Sequence, residues 1–375
     1  MRGTFPKILL LWAVWAAVTL LVAAGMASLP VSTPGGWGPE LTRIAPPLAR
    51  WDSGWYYGIA TEGYRFDAGH PQNSIGFYPL YPLVVRGAAA LFHAPVFETG
   101  IAVSLVALLG ALAIVARLTA EWGSEEAAVP IVACLLLFPG SFYLAAFYSE
   151  SLFLLATAAA LLAARKRAWI WAGVAGAAAC LTRFNGFLVA LPVLACMGGE
   201  RRETGGAGRR IACGALLAAG AAAFPIYLWR RWGDPLLYFH DKAAGWPSYR
   251  FGQFWRAFGR LPLDLVRHAG EPGGTKWLVT LAEALALLLA LAGAIYLVRR
   301  RLFPEALYVA ATIALVSLSG SFESFPRYAL GLLPAFLLPA VLARRSLTFA
   351  FLYSLVGCGL GAVLMSRFIH WIYVG

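Results

Sequence analysis

The sequence predicts an all-α, polytopic membrane protein, and three observations carry that prediction. Of its 375 residues, 60% are hydrophobic and only 13% are charged, about half the roughly 25% charge of a soluble domain. Apolar runs of about twenty residues recur along the whole chain, the length a helix needs to cross a hydrocarbon core of ~30 Å. The Lys and Arg residues behind the net charge of +12 sit in short clusters between those runs. That pattern orients a membrane protein and does not suggest a nucleic-acid surface, so the expected partner is the lipid bilayer and no nucleic acid is expected.

Eleven transmembrane helices are expected, at 8–29, 99–119, 128–146, 148–164, 168–181, 184–197, 211–229, 278–298, 304–320, 328–343 and 346–366. The first follows Arg2 and Lys7 and exceeds the roughly 7–15 apolar residues of a secretory signal, so it reads as an uncleaved span. The fifth and sixth are short and read equally as one hairpin pinched at 182–186. Basic clusters fall at Arg2/Lys7, Arg165-Lys166-Arg167, Arg201/Arg202/Arg209/Arg210, Arg299-Arg300-Arg301 and Arg344-Arg345. Alternating sides along the spans puts all of them on one face, which the positive-inside rule makes cytoplasmic. The chain then reads as one integral-membrane domain, 1–375, with a first external loop at 30–98 that carries interfacial helices and a second at 230–277. Its expected location is a bacterial inner or plasma membrane, or the endoplasmic reticulum of a eukaryote. The five cysteines all lie in apolar stretches without paired spacing, so they read as small buried side chains.

The same alternation gathers the polar motifs on the external side: "ARWDSGWYYGIATEGY", "FYPLYPLVVR", "FYSES", "LTRFNG", "GDPLLYFHDKAAGWPSYR" and "FESFPRY". Charge clusters alone set that topology, so the gathering is a result and predicts one site at the outer interface. In the first motif Asp52 and Tyr56 share one helical face, and Trp51 and Trp55 the next. The group reads either as a general base among sugar-stacking aromatics or as an interfacial belt of tryptophans. Tyr78, in "FYPLYP", joins the candidate sugar contacts. Glu150 opens an apolar run, as a sugar contact or as a plain helix cap. Arg183 and Asn185 interrupt nearly thirty apolar residues. An arginine there needs a partner, either a lipid phosphate or Glu150, unless it snorkels. Arg327 could take an anionic lipid head group or a leaving phosphate bidentately, or pair with Glu323. In the second loop Asp234, His240, Asp241, Lys242 and Arg250 are candidate acceptor or phosphate contacts.

There is no D-x-D, no dinucleotide or P-loop fingerprint and no H-E-x-x-H, and the five histidines show no ligand spacing. A nucleotide-sugar enzyme and a zinc centre are both disfavoured. Three function classes remain from the residues alone: a membrane enzyme, a transporter or flippase of lipid-linked sugar, and a structural membrane subunit whose loops dock a partner. No repeat relates the two halves, as one often does in transporters.

Taken in order, "RWDSGWYYGIATEGY", "FYPLYPLVVR", "FPGSFYLAAFYSESLFLL", "LTRFNGFLVALP", "WGDPLLYFHDKAAGW" and "SFPRYALGLLP" resemble the PIG-V family over about residues 50–340. Members of that family are GPI mannosyltransferases that add the second mannose of the anchor, with bacterial relatives. The resemblance implies a GT-C glycosyltransferase fold whose first external loop carries the catalytic carboxylate. It also implies a polyprenyl or dolichyl phosphate mannose donor, with a glycolipid or glycan as acceptor. By motif, Asp52 takes the place of the base. Arg183, Asn185 and Arg327 fall at motif positions, and we read them as contacts to the donor phosphate. Many GT-C enzymes carry a second acid beside the first, whereas Asp52 is followed by Ser53; a metal-independent enzyme without cofactor is expected. An inverting displacement needs only Asp52, while a retaining one would need a second carboxylate, for which Glu62 is the near-sequence option.

Overall fold

The computed structural model describes residues 3–29, 45–198, 206–245, 254–271, 275–372 and 374, and among them the regular structure is helical, without strands. Arg2, Arg201, Arg202 and Arg250 lie outside the described residues. The helices are α1 (Thr4–Ala27), α2 (Ser53–Glu62), α3 (Leu80–Phe92), α4 (Val96–Glu121), α5 (Ala128–Leu136), α6 (Glu150–Arg165), α7 (Trp169–Thr182) and α8 (Ala190–Gly198). They continue with α9 (Ala207–Trp232), α10 (Leu237–Gly245), α11 (Phe254–Ala269), α12 (Thr275–Arg299), α13 (Phe303–Ser317), α14 (Phe325–Leu330), α15 (Leu337–Arg345) and α16 (Leu347–Ile369).

Five of these, α1, α4, α9, α12 and α16, are long and apolar enough to cross a membrane alone. Exposed leucines, valines and isoleucines on α1, α12 and α16 suit a hydrocarbon solvent. The other expected spans are shorter or broken. The run at 128–146 stops at Leu136 and resumes as the 3₁₀ turn Ser141–Leu144, because Pro139-Gly140 interrupts the helical ladder. The run at 328–343 is divided into α14, the 3₁₀ turn Leu333–Phe336 and α15, with Pro334 in the turn.

Contacts order the helix ends into two faces. At one end Lys166 pairs with Glu121 at 3.0 Å, Arg344 with Glu126 at 2.9 Å, and Arg165 with Glu305, which gathers the termini of α4, α6, α13 and α15. Arg300, just past α12, donates to Ser124 Oγ at 3.1 Å. The described basic clusters of α6, α12 and α15 therefore share one end, and Asp52, Glu150, Arg183 and Arg327 meet at the other. From the basic end α6, α7 and α13 extend only 16, 14 and 15 residues. At 1.5 Å per residue they reach roughly 21–24 Å, short of a ~30 Å core. The 26-residue α4 runs past them. Its Ser104 donates to the Tyr148 carbonyl at 3.1 Å, eight residues in from Val96, or about 12 Å below that end of the helix. The polar motifs thus line a recess that forms where short helices stop beside long ones.

Two glycines permit the close approaches that this needs. A Cβ on Gly220 would lie 2.5 Å from Ala177 Cα, so α7 and α9 cross in backbone contact. A Cβ on Gly186 would lie 2.0 Å from the Ala179 carbonyl oxygen, so the 3₁₀ turn Phe184–Val189 folds back onto the end of α7 only with glycine there.

Candidate active site

Asp52 is held from its backbone outward. Arg50 is buried, and its guanidinium donates to the carbonyls of Ala45, Pro46, Ala49 and Ile369 at 2.8–3.3 Å. The Tyr148 hydroxyl donates to the Arg50 carbonyl and accepts from the Asp52 amide, both at 3.1 Å. The Phe147 amide donates to the Leu48 carbonyl at 3.0 Å, and Ser53 Oγ donates to the Phe147 carbonyl at 3.2 Å. This stitching forces Trp51 to φ +54°, a left-handed conformation that costs a non-glycine residue about 1–2 kcal/mol. Ser324, three residues before Arg327, is also left-handed at φ +64°. The two strained residues adjoin the two charged groups that face each other across the site.

Arg327 NH1 lies 2.9 Å from Asp52 Oδ2, and Arg327 Nε lies 2.8 Å from Glu150 Oε1. Arg183 NH1 meets that same Glu150 oxygen at 2.6 Å. The guanidiniums also lie over aromatic faces, Arg327 over Tyr148 at 4.7 Å and Arg183 over Tyr328 at 5.4 Å. Glu150 is 2% exposed and Asp52 27%. The first is an internal anchor that holds two cations side by side; the second opens into a cavity of about 200 Å³.

That cavity is lined by Asp52, Tyr56, Tyr78, Arg183, Asn185 and Arg327 from four separate sequence motifs. Glu150 stands directly behind the arginines rather than capping its helix, and Arg327 has Asp52 and Glu150 as partners, not Glu323. Tyr56 is buried, its hydroxyl 2.9 Å from Ser149 Oγ; burial and then the Glu150 charge raise its pKa, so it stays a neutral hydrogen-bonding phenol. Asn185 is buried in the 3₁₀ turn after α7. Trp51 packs on Trp371, ring centroids 5.8 Å apart, and Trp55 stacks on Phe77 at 5.8 Å. Both tryptophans lie outside the cavity lining, where the aromatic faces are those of Phe77, Phe184, Tyr238 and Tyr328 beside Tyr56 and Tyr78.

Asp234 and His240 also lie outside the lining and pair with each other, Oδ2 to Nδ1 at 2.7 Å. Asp234 precedes α10 and accepts from the Leu236 amide at 2.8 Å, a turn contact. From the same loop Tyr238 and Lys242 reach the cavity instead. They are spaced i, i+4 on α10, a signal legible once that helix is known to start at Leu237. Asp241 anchors α10 by accepting from Asn73 Nδ2 at 2.8 Å; its burial raises its pKa. Lys242 Nζ sits 4.8 Å over the Phe77 ring. Burial lowers its pKa to about 8, against the pull of Asp52 and then Asp241. Glu62 is half exposed, pairs with Arg65 at 3.0 Å and takes no part in the cavity. Among the described residues no three His, Cys, Asp or Glu side chains are grouped to hold a metal ion.

No family model and no curated protein matches the sequence. Solved structures do match the fold. The oligosaccharyltransferase of Archaeoglobus fulgidus, in its crystal structure with Zn and sulfate, aligns with a TM-score of 0.50 at 15% identity, over 96% of this chain and 53% of that one. The same enzyme tethered by a disulfide to an acceptor peptide containing the NVT sequon gives 0.50 at 13% identity, over 97% and 55%. Its complex with an inhibitory peptide and a dolichol-phosphate gives 0.45 at 15%, over 96% and 55%. The chain spans about half the length of these structures. At such identities the similarity speaks to the fold alone, a multispan helical one.

Proposed function

We propose that the chain is a membrane glycosyltransferase that moves one hexose, mannose by the PIG-V resemblance, from a polyprenyl or dolichyl phosphate to a glycolipid or glycan hydroxyl on the external face. The observation that carries this reading is the Asp52–Arg327 pair at 2.9 Å, open to a recess that Arg183 and Lys242 also line. A donor with a hydrocarbon tail and a phosphorylated sugar needs a polar pocket sunk below the membrane surface. The ends of α6, α7 and α13 supply such a recess. A volume of about 200 Å³ is below the roughly 300–1,000 Å³ of pockets for drug-sized ligands. It suits a single ring with its phosphate better than an oligosaccharide.

In this mechanism the Asp52 carboxylate takes the acceptor hydroxyl proton as that oxygen bonds to the sugar's anomeric carbon. The bond from that carbon to phosphate breaks on the opposite face, and the lipid phosphate departs with the electron pair. It needs no general acid, only cations. Arg327 uses two of its five N–H donors on Asp52 and Glu150, leaving others for phosphate. Arg183 and Lys242 add charge from the same walls, and Asn185 adds a neutral donor. Glu150 is pinned by two guanidiniums and Glu62 is remote, so an inverting single displacement fits these residues better than a covalent intermediate. Metal independence belongs to the proposal, because the cation beside the base is already Arg327.

The test uses purified protein, polyprenyl phosphate mannose and a crude lipid and glycan acceptor mixture. Asp52→Asn should lower transfer by about 10²- to 10⁴-fold at an unchanged level in the membrane. Full turnover by that variant would remove Asp52 from the role of base.

A further inference from the structure

A second cavity, of about 210 Å³, adjoins the first and shares Ser321 and Glu323 with it. Its outer wall is α11, an amphipathic helix with Trp255, Leu263 and Val266 exposed and Arg260, Asp264 and His268 on the cavity. That division suits a helix lying on a membrane surface. The facing wall is α12, whose Lys276, Thr280 and Glu283 fall on one helical face. Arg367, near the end of α16, completes it.

Glu283 is the group that asks for a ligand. It is 7% exposed, belongs to an apolar helix, and makes no ion pair among the described residues. Glu323 and Asp264 nearby carry its own sign. Arg260, a counter-charge nearby, already meets Asp264 at 3.1 Å and Glu323 at 3.6 Å. A carboxylate so sited needs further donors, and the cavity is the open side from which they can come.

The chemistry of the walls narrows the ligand. Asp264, Glu283 and Glu323 can accept; Arg260, Lys276 and Arg367 donate; His268, Thr280 and Ser321 can do both. Walls that mix acids and bases in this way give a charged ligand of either sign little net attraction. A neutral ring whose hydroxyls each donate and accept can use both kinds of wall. We infer that this cavity is a carbohydrate subsite that holds a hexose of the acceptor, with Glu283 accepting from a ring hydroxyl. The sugar is then presented across Ser321 and Glu323 to Asp52. The direction of that presentation rests on the transfer reaction proposed above; the binding of sugar does not.

Octyl α-D-mannopyranoside is the probe, titrated calorimetrically into the full chain in lipid nanodiscs. Saturable binding is expected, weakened about ten-fold by Glu283→Gln, which replaces the carboxyl that meets the ring hydroxyl. Asp264→Asn, on the surface helix, should weaken it in the same direction and decides the matter if Glu283→Gln does not fold. Asp52→Asn should bind the probe as the unsubstituted chain does, and Glu283→Gln should still bind polyprenyl phosphate mannose. No saturable binding by the unsubstituted chain, or equal binding by both cavity variants, overturns the subsite even where transfer proceeds. Transfer retained by Asp52→Asn overturns the proposed reaction and leaves the subsite intact.

Discussion

Two buried glutamates, one at each end of the bundle, are equally hidden from solvent and differ in what surrounds them. At the basic end Glu305 accepts from Arg165 through both oxygens and from Trp122 Nε1 at 2.9 Å. One acid, one base and one indole close on each other, and the bridge locks α6 to α13. At the other end Glu150 gives one oxygen to both Arg183 and Arg327, and its Oε2 accepts no hydrogen bond among the described residues. Arg327 then reaches beyond it to Asp52, which faces open space. Burial and pairing therefore do not separate a structural ion cluster from a functional one. What differs is that the Glu150 network extends through Arg327 to an acid that faces a cavity, whereas the Glu305 network closes on itself.

After Asp52→Asn, the largest expected effect comes from breaking the proposed site at its centre. Arg327→Lys keeps a charge but cannot fork between Asp52, Glu150 and an incoming phosphate. Transfer should fall by about 10²- to 10³-fold, the scale for losing one preorganised donor to a developing anion. The Asp52→Asn assay reads it, and a Lys variant with turnover within a few-fold of the original would show that Arg327 supplies only packing.

Glu305→Gln is the matching break at the other end. It removes the charge opposite Arg165 while keeping the side chain's size. Stability should drop by about 1–3 kcal/mol, seen as a lower thermal midpoint, with turnover per folded molecule unchanged. Glu150→Gln should lower both, since two neighbouring guanidiniums lose the carboxylate between them. Equal effects of the two substitutions on turnover would erase the distinction between the ends.

The titration of Lys242 sharpens the comparison by pH. Burial lowers its pKa to about 8, so in the ligand-free protein the ammonium is present below that value and lost above it. A donor phosphate favours the charged form, so donor affinity should be flat below about pH 8. Above it the affinity should fall by up to about ten-fold per unit until the ligand-bound pKa no longer matters. Lys242→Arg stays charged throughout and should flatten the profile. For stability the sign is opposite. The unfolded lysine keeps its proton up to about 10.5, so the folded chain loses stability on protonation, and stability rises between about pH 8 and 10.5 from this group.

Much of this arrangement was legible in the sequence. Charge clusters alone sorted the polar motifs onto one end, and Arg183, an arginine inside an apolar run, demanded a partner that turned out to be Glu150. Helix lengths were less legible, because hydropathy measures apolar content and does not see that α6, α7 and α13 stop early to form a recess. Trp51 and Trp55 look like sugar platforms by type, yet their contacts are Trp371 and Phe77. The partner rings lie about 320 and 22 residues away, and local spacing says nothing about either. The carboxylate at Glu283 drew no attention in sequence, since a single acid in a long apolar run carries no motif.

The smallest effect is expected where sequence and geometry part. Asp234 and His240 share a loop with Lys242, and all three are polar residues of the same short motif. Asp234 ends its reach at the Leu236 amide and the His240 ring, however, and neither side chain borders the cavity. Asp234→Asn retains an oxygen for the turn contact and loses only an exposed pair, worth about 0–1 kcal/mol. Transfer by Asp234→Asn and by His240→Ala should stay within about two-fold of the original, the size of a surface substitution remote from the reacting groups. A larger loss in either would mean that the second loop closes over the site when substrate is bound, carrying His240 inward with Lys242 on the same helix.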